Sequence, residues 1–300
     1  MIDRRTFLAA GTGAALAAAC RAAPAPDRTP ARPTNDARER FEAIRDTLGP
    51  GGRLGVAAID TGSGRELKFD ADSRYAMAST FKLPLAGAML ALADRGEVSL
   101  EEKLPIPPGK PLDNSPAVER HLAEGSLSII RLCSAIVELS DNSAANMLLR
   151  RIGGPEALTR FIRSCGDSVT RLDRFEMELN SNLPGDPRDT TSPAAMAGLA
   201  RTLVLGETLG RQSRNHLSTW LKKSVPGADR LKAGLPAPLW LVGHKTGTGA
   251  NGAVNDVAIA WRSGGAPVVV ACYQSGGTAG RPMRFAAHAA VGRLVAETFG

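Results

Sequence analysis

Ser79 and Lys82 stand three positions apart at the head of an apolar run, "MASTFKLPLAGAMLALA", in which no second charge appears before Asp94. At that spacing the two side chains share one helical face, so hydroxyl and amine can hydrogen-bond. A lysine at the dry head of an apolar helix loses hydration, which favours its neutral form. A neutral amine beside a hydroxyl can take its proton and leave an activated nucleophile. The same residues also read as a serine cap followed by a lysine that snorkels from the first turn. The tetrapeptide alone leaves both readings open.

Three further stretches narrow the choice. Ser140-Asp141-Asn142 begins 61 positions after Ser79, and Lys245-Thr246-Gly247 begins 105 positions later, on the strand-like "LWLVGHKT". Between them, "RLDRFEMELNSNLPGDPRDTTSPAAMA" (171–197) carries Glu176 and Asn180. A carboxylate and an amide four positions apart can hold a water and deprotonate it beside an ester. Glu178 is the neighbouring candidate, and the sequence alone does not decide which of the two glutamates faces the site.

Together these strings resemble the class A serine β-lactamases, a resemblance that covers roughly residues 36–300. It implies that Ser79 attacks the lactam carbonyl, with either Lys82 or Glu176 as the acylation base. It implies that Ser140 passes a proton to the departing ring nitrogen, and that Glu176 and Asn180 hold the water that releases the acyl group. Arg174 and Asp189 would close the omega loop, 171–189. Lys245, Thr246, Gly247 and Thr248 would meet the substrate carboxylate, Asn142 its side-chain amide, and the N–H groups of Ser79 and Thr248 the oxyanion. Many relatives carry an arginine on the strand after "KTG", where this chain has Val254; Arg230, in "DRLKAGLP", stands where some relatives place the same charge. With Thr248, that pattern resembles the broad-spectrum, carbapenem-hydrolysing branch.

Other positions depart from the family. Asn114 precedes Ser115-Pro116 where relatives place an aromatic, and Ala78, Ala86 and Gly249 replace the cysteines of relatives' disulfides, so none is expected. The alternatives are a penicillin-binding D,D-peptidase or a β-lactam sensor that stays acylated. Both share the three short strings and lack the omega-loop glutamate.

The elements that must position these groups follow from periodicity. Asp36–Leu48 has helical spacing. "RLGVAAID" and "RELKFD" flank "TGSG" as a β-hairpin, helical patterning dominates from Ser79 to about Leu221, and strands return after Pro236. A last amphipathic helix is expected over 282–298. The expected fold is α+β: an antiparallel five-stranded sheet with flanking helices, built from 36–75 and 222–300, with an all-α domain (76–221) inserted. "GTGANG" (247–252) matches a dinucleotide fingerprint, but the strand-like "AVNDVAIAW" follows it where a helix is required, so it reads as a glycine-rich hairpin. The four histidines lack paired ligand spacing, so no metal is expected, nor any other cofactor; no Gly-x-Ser-x-Gly elbow occurs, which argues against a Ser–His–Asp hydrolase.

The net charge is +7, but the 37 basic residues are scattered, which argues against nucleic-acid binding. The expected partner is a small-molecule β-lactam and the expected state is a monomer. The N-terminus, "MIDRRTFLAAGTGAALAAAC", has an arginine pair, a short apolar stretch and small residues, the layout of a twin-arginine-type export signal. Lipid anchoring at Cys20 and cleavage after Ala25 are both compatible with it, and residues 26–35 read as a linker. Either route places the mature chain in the periplasm or outside the cell. Cys133, Cys165 and Cys272 lie among apolar neighbours and read as buried free thiols.

Overall fold

Strands from the two ends of the chain share one sheet. The computed structural model describes residues 35–300, so the signal and lipid-anchor readings at residues 1–25 and the linker up to residue 34 lie outside the described residues. Helix α1 (Asn35–Asp46) leads into strands β1 (Arg53–Asp60) and β2 (Glu66–Phe69). A two-residue strand β3 (Tyr75–Ala76) and a 3-10 turn over Ala78–Phe81 precede α2 (Lys82–Asp94). The middle of the chain contributes β4 (Lys103–Pro105), α3 (Pro116–Arg120), β5 (Ser126–Ser128), α4 (Ile129–Glu138), α5 (Asn142–Ile152) and α6 (Pro155–Ser164). It continues with β6 (Thr190–Thr191), α7 (Pro193–Val204) and α8 (Arg211–Lys222). Strands β7 (Trp240–Thr248), β8 (Val254–Arg262) and β9 (Val268–Ser275) and helix α9 (Arg281–Phe299) complete the chain.

The five long strands pair antiparallel in the order β2-β1-β9-β8-β7. The register places Val56 opposite Cys272 and Lys245 opposite Val257. Strands β1, β8 and β9 are buried along nearly their whole length. Both sheet faces are therefore covered, which explains why these segments read as almost continuous apolar runs instead of alternating ones. Helices α1 and α9 close one face through Phe41, Leu48, Val291 and Val295. The other face joins the larger core, which runs into α2, α4 and α5.

The middle segment is not a self-contained helical unit. Helix α7 packs on β1 and β9, and α8 packs on β7, so two of the expected inserted helices are also the sheet's second covering layer. Two short ladders, β3–β6 and β4–β5, stitch the segment together where only helices and loops were expected. Cys133 and Cys272 are buried free thiols as expected, whereas Cys165 is half exposed at the end of α6. The "GTGANG" stretch is the β7–β8 hairpin turn.

His288 on α9 is fully buried, with Nε2 hydrogen-bonded to Val254 O at 3.1 Å. Burial holds its pKa down to about 4. The unfolded chain takes up a proton there near pH 6.5 that the folded chain refuses until about pH 4, so acid in this window favours unfolding. Urea midpoints are expected to fall between pH 7 and pH 4.5, with this one histidine costing on the order of 3 kcal/mol at the acid limit. His288→Gln, which keeps a donor but does not titrate, should flatten that pH dependence.

Candidate active site

Ser79 lies in the 3-10 turn that leads into α2, half-buried. The segment ahead of it is pinned from two distant strands. Asn255 of β8 donates from Nδ2 to Ala76 O (2.9 Å) and Met77 O (3.0 Å), and Met77 N donates to Asp189 O (2.9 Å). Thr80 Oγ1 meets Tyr273 OH at 2.9 Å. Strand β7 passes so close that a Cβ on Gly247 would sit 2.7 Å from Met77 O and 3.2 Å from Ser79 N, so only glycine fits there. As a first-turn residue, Ser79 has a backbone N–H without an intrahelical acceptor, which leaves it free to face a ligand.

Lys82 has no exposed side-chain surface. Its Nζ donates to Ser79 Oγ (3.0 Å), Ser140 O (2.9 Å) and Asn142 Oδ1, three directions that use three ammonium protons. Glu176 Oε1 lies 2.9 Å away and is equally buried, but it makes an ionic contact outside hydrogen-bond alignment. Burial pulls the Lys82 pKa down, and the Glu176 charge restores only part of it. The snorkelling reading is therefore wrong: the apolar faces of α2 pack inside the larger core and leave the amine no route to water.

Ser140, at φ +61°, turns its hydroxyl toward Lys245, whose Nζ donates to Ser140 Oγ at 3.0 Å and to Thr246 O at 2.8 Å. Lys245 is fully buried, and burial followed by repulsion from Lys82 and Arg230 pushes its pKa well down. It does not line the cleft. The two-residue strand period turns Thr246 and Thr248 to the open side, and Lys245 lies behind them against Ser140. Asp141 is structural: Oδ1 caps α5 through Ala144 N (2.8 Å), and Oδ2 accepts Ala117 N (2.9 Å) and Val118 N (3.1 Å) at the start of α3. Asn142 donates from Nδ2 to Asp113 O (2.7 Å) and lies 3.6 Å from Met177 Sδ. The weak thioether contact is the one a substrate carbonyl can replace.

The loop 171–189 is closed at its neck as expected. Arg174 Nε meets Asp189 Oδ2 at 2.6 Å, and Asp189 Oδ1 accepts the N–H groups of Asp173 (2.7 Å) and Arg174 (3.0 Å). Within it Glu176 is buried and Glu178 is exposed, which separates the two candidates. Asn180 Nδ2 donates to Glu176 Oε2 at 2.7 Å. Asn180 Oδ1 and Glu176 Oε1 are both buried acceptors without a protein hydrogen bond.

Two further buried residues matter that sequence reasoning did not single out. Asn146 accepts Glu176 N at Oδ1 (3.0 Å) and donates to Glu176 O from Nδ2 (2.9 Å), clamping the glutamate's backbone on both sides. Its signal was the i,i+4 spacing from Asn142 on an otherwise apolar helix face. Asp256 accepts Leu231 N (3.2 Å) and pairs with His244 Nδ1 (3.0 Å), fixing the turn that carries Arg230.

Arg230 lies at the Thr248 edge of the cleft. It is buried, and it donates to Thr248 Oγ1 (2.8 Å), Gly247 O (3.0 Å) and Asn255 O (2.8 Å), with its guanidinium 4.7 Å from the Phe285 ring centre. A cleft of about 900 Å³ brings together Ser79, Ser140, Asn142, Asn180, Arg230, Thr246, Gly247 and Thr248. Arg281 and Phe285 of α9 also line it, as does Asn114, which donates to Ser140 O at 2.9 Å. Lys82, Lys245 and Glu176 lie just behind this wall. A second cavity of about 940 Å³, by Cys165 and Arg201, is lined by none of the candidate site residues. Among the described residues, no cluster of three or more His, Cys, Asp or Glu is arranged to hold a metal ion.

A hydroxyl beside a desolvated amine, with a second hydroxyl, a water-holding carboxylate and cationic groups around one cleft, is equipped for acyl transfer to serine followed by hydrolysis. Residues 37–299 match the sequence model of the beta-lactamase enzyme family. The chain is similar to beta-lactamase AST-1 of Nocardia asteroides, at 43% identity over 90% of this chain and 87% of that protein. It is 40% identical to beta-lactamase L2 of Stenotrophomonas maltophilia over the full length of both. Among solved structures, an ancestral class A beta-lactamase superposes with a TM-score of 0.84 at 48% identity, covering 88% of this chain and all of that one. A putative class A enzyme, PenP from Rhodopseudomonas palustris, gives 0.85 at 45% identity over the same shares. The chain belongs to the beta-lactamase enzyme family, in its class A serine branch.

Asn146→Ala removes both side-chain partners of the Glu176 backbone and strands two buried polar groups. It should destabilise the fold by about 2–4 kcal/mol, seen as a lower melting temperature, and slow turnover more than it weakens substrate binding.

Proposed function

We propose that the site performs a two-step hydrolysis of the β-lactam amide on Ser79, with release of the acyl group by water activated at Glu176. The protein is a serine β-lactamase, an enzyme of antibiotic resistance; the residue roles are the proposal. The observation that carries it is the pair of buried acceptors, Glu176 Oε1 and Asn180 Oδ1, beside the hydroxyl of Ser79. Two such acceptors, on residues joined through Asn180 Nδ2 and Glu176 Oε2, suit the two protons of a water, and the carboxylate can take one of them. A site meant only to be acylated has no use for them.

In the first step Ser79 Oγ attacks the lactam carbonyl as its proton passes to Lys82 Nζ or, through a water, to Glu176. The lowered Lys82 pKa supports the amine as the acceptor. The carbonyl oxygen becomes an oxyanion that the N–H groups of Ser79 and Thr248 are suited to hold. The ring nitrogen then leaves with a proton from Ser140, whose Oγ accepts a hydrogen bond from Lys245 Nζ, the donor placed to replace that proton. In the second step the water attacks the ester, Glu176 takes its proton, and Ser79 leaves. The substrate carboxylate meets Thr246 and Thr248, with Arg230 and Lys245 supplying charge behind them and Gly247 allowing close approach. Asn142 Nδ2 donates to the substrate's side-chain carbonyl. Penicillins and cephalosporins fit this scheme, and Arg230 with Thr248 favours carbapenems as well.

Residues 1–25 support export by the twin-arginine route to the periplasm or beyond, with Cys20 as a lipid-anchor site or Ala25 as the cleavage point; fractionation and mass analysis of the mature N-terminus test this. A monomer is proposed as the working state.

Ser79→Ala should abolish nitrocefin hydrolysis with the melting curve unchanged. Glu176→Gln should accumulate an acyl-enzyme heavier by the mass of the bound penicillin; parent-rate turnover by this variant would remove Glu176 from deacylation. For Arg230→Ala the expected change is a raised KM for penicillins and carbapenems, and an unchanged KM would exclude its carboxylate role.

A further inference from the structure

The structure assigns Asn182 and Asn251 a joint role as a latch that ties the omega loop to the β7–β8 hairpin, which makes both of them positioning residues for deacylation. The inference rests on the acyl-enzyme reading above and adds the device that holds its second step in place.

The two side chains reach across the gap in opposite directions. Asn182 Nδ2 lies within donor range of Ala250 O (3.1 Å), Asn251 O (2.9 Å) and Ser275 Oγ (3.1 Å). Asn251 Nδ2 answers with Ser181 O (3.1 Å) and Asn182 O (3.1 Å). Both residues adopt left-handed backbone, φ +44° and +48°, a conformation asparagine tolerates better than most residues. Inside this bracket sits one backbone bond, Ala250 N to Asn180 O at 2.8 Å. Asn180 therefore hangs from the latch, and its amide in turn holds Glu176 Oε2.

The hairpin has other supports. Gly276 N donates to Asn251 O (2.8 Å), and the buried Arg284 donates to Gly252 O (3.0 Å) from α9. The far end of the omega loop, beyond the Arg174–Asp189 neck, has fewer, so that end is the one a broken latch releases. Ser79, Lys82, Ser140 and Lys245 stand on α2, the turn before α5, and β7, and do not depend on it. Loss of the latch should spare acylation and slow deacylation.

Glycine accepts both left-handed positions without strain and removes only the side chains, so Asn182→Gly and Asn251→Gly are the test variants, singly and together. Penicillin and nitrocefin turnover, the acyl-enzyme mass during turnover and the melting temperature are measured on the full mature protein beside Glu176→Gln. The expected result is a fall in kcat of about tenfold, the scale of one to two lost hydrogen bonds. KM should fall alongside, with kcat/KM held within about twofold and acyl-enzyme visible in the steady state. The double variant should be little worse than either single one, because each breaks the same latch. Latch variants that deacylate at the parent rate, or whose kcat/KM falls as far as kcat without acyl-enzyme, overturn the inference while Glu176→Gln still traps its adduct. A parent enzyme that neither hydrolyses penicillin nor forms an adduct as Glu176→Gln overturns the proposed function instead.

Discussion

An ammonium and a carboxylate, both wholly removed from solvent and 2.9 Å apart, are the constraint around which the site is built. Placing either in the interior alone would cost several kcal/mol, and removing one partner of such a pair strands the other at a cost of about 3–5 kcal/mol. The surroundings offset this with a full set of acceptors for Lys82: the Ser79 hydroxyl from its own turn, and a backbone carbonyl and an amide oxygen from the Ser140–Asn142 stretch. Each acceptor is also a group the chemistry needs close by. The arrangement that makes the charge tolerable is thus the one that gathers Ser79, Ser140 and Asn142 within reach of one another.

Much of this was legible in the sequence, for reasons that differ by residue. Ser79 and Lys82 were legible because a three-residue spacing places them on one helical face, and Ser140 and Lys245 through the likeness of their short strings to the family's. The five strands were legible because burial on both sheet faces leaves an unbroken apolar composition. Glu176 and Glu178 were harder: local pattern does not separate them, and only the tertiary setting says which faces inward. Lys245 was legible from its string but its burial behind Ser140 was not, because the direction of a side chain on an interior strand depends on the register with its neighbours.

Asn146, Asp256 and Asn255 went unnoticed for a different reason. Each is a buried polar residue whose partner lies elsewhere along the chain, and single-residue composition carries no trace of a distant partner. Their importance appears only when the orphaned groups they satisfy are known. The blurred boundary between sheet and inserted helices has the same origin, since which face of α7 meets β1 is a matter of assembly and not of local pattern.

The grip of Asn255 on Ala76 and Met77 spans 179 and 178 positions of chain. The nucleophile's own turn therefore has no fixed shape until the last third of the polypeptide has arrived and β8 has taken its place. Such long-range closure is slow compared with local helix formation. A nascent or truncated chain can carry every residue of the Ser79–Lys82 pair and the omega loop and still present no reactive serine. Chemical competence here is a readout of completed folding.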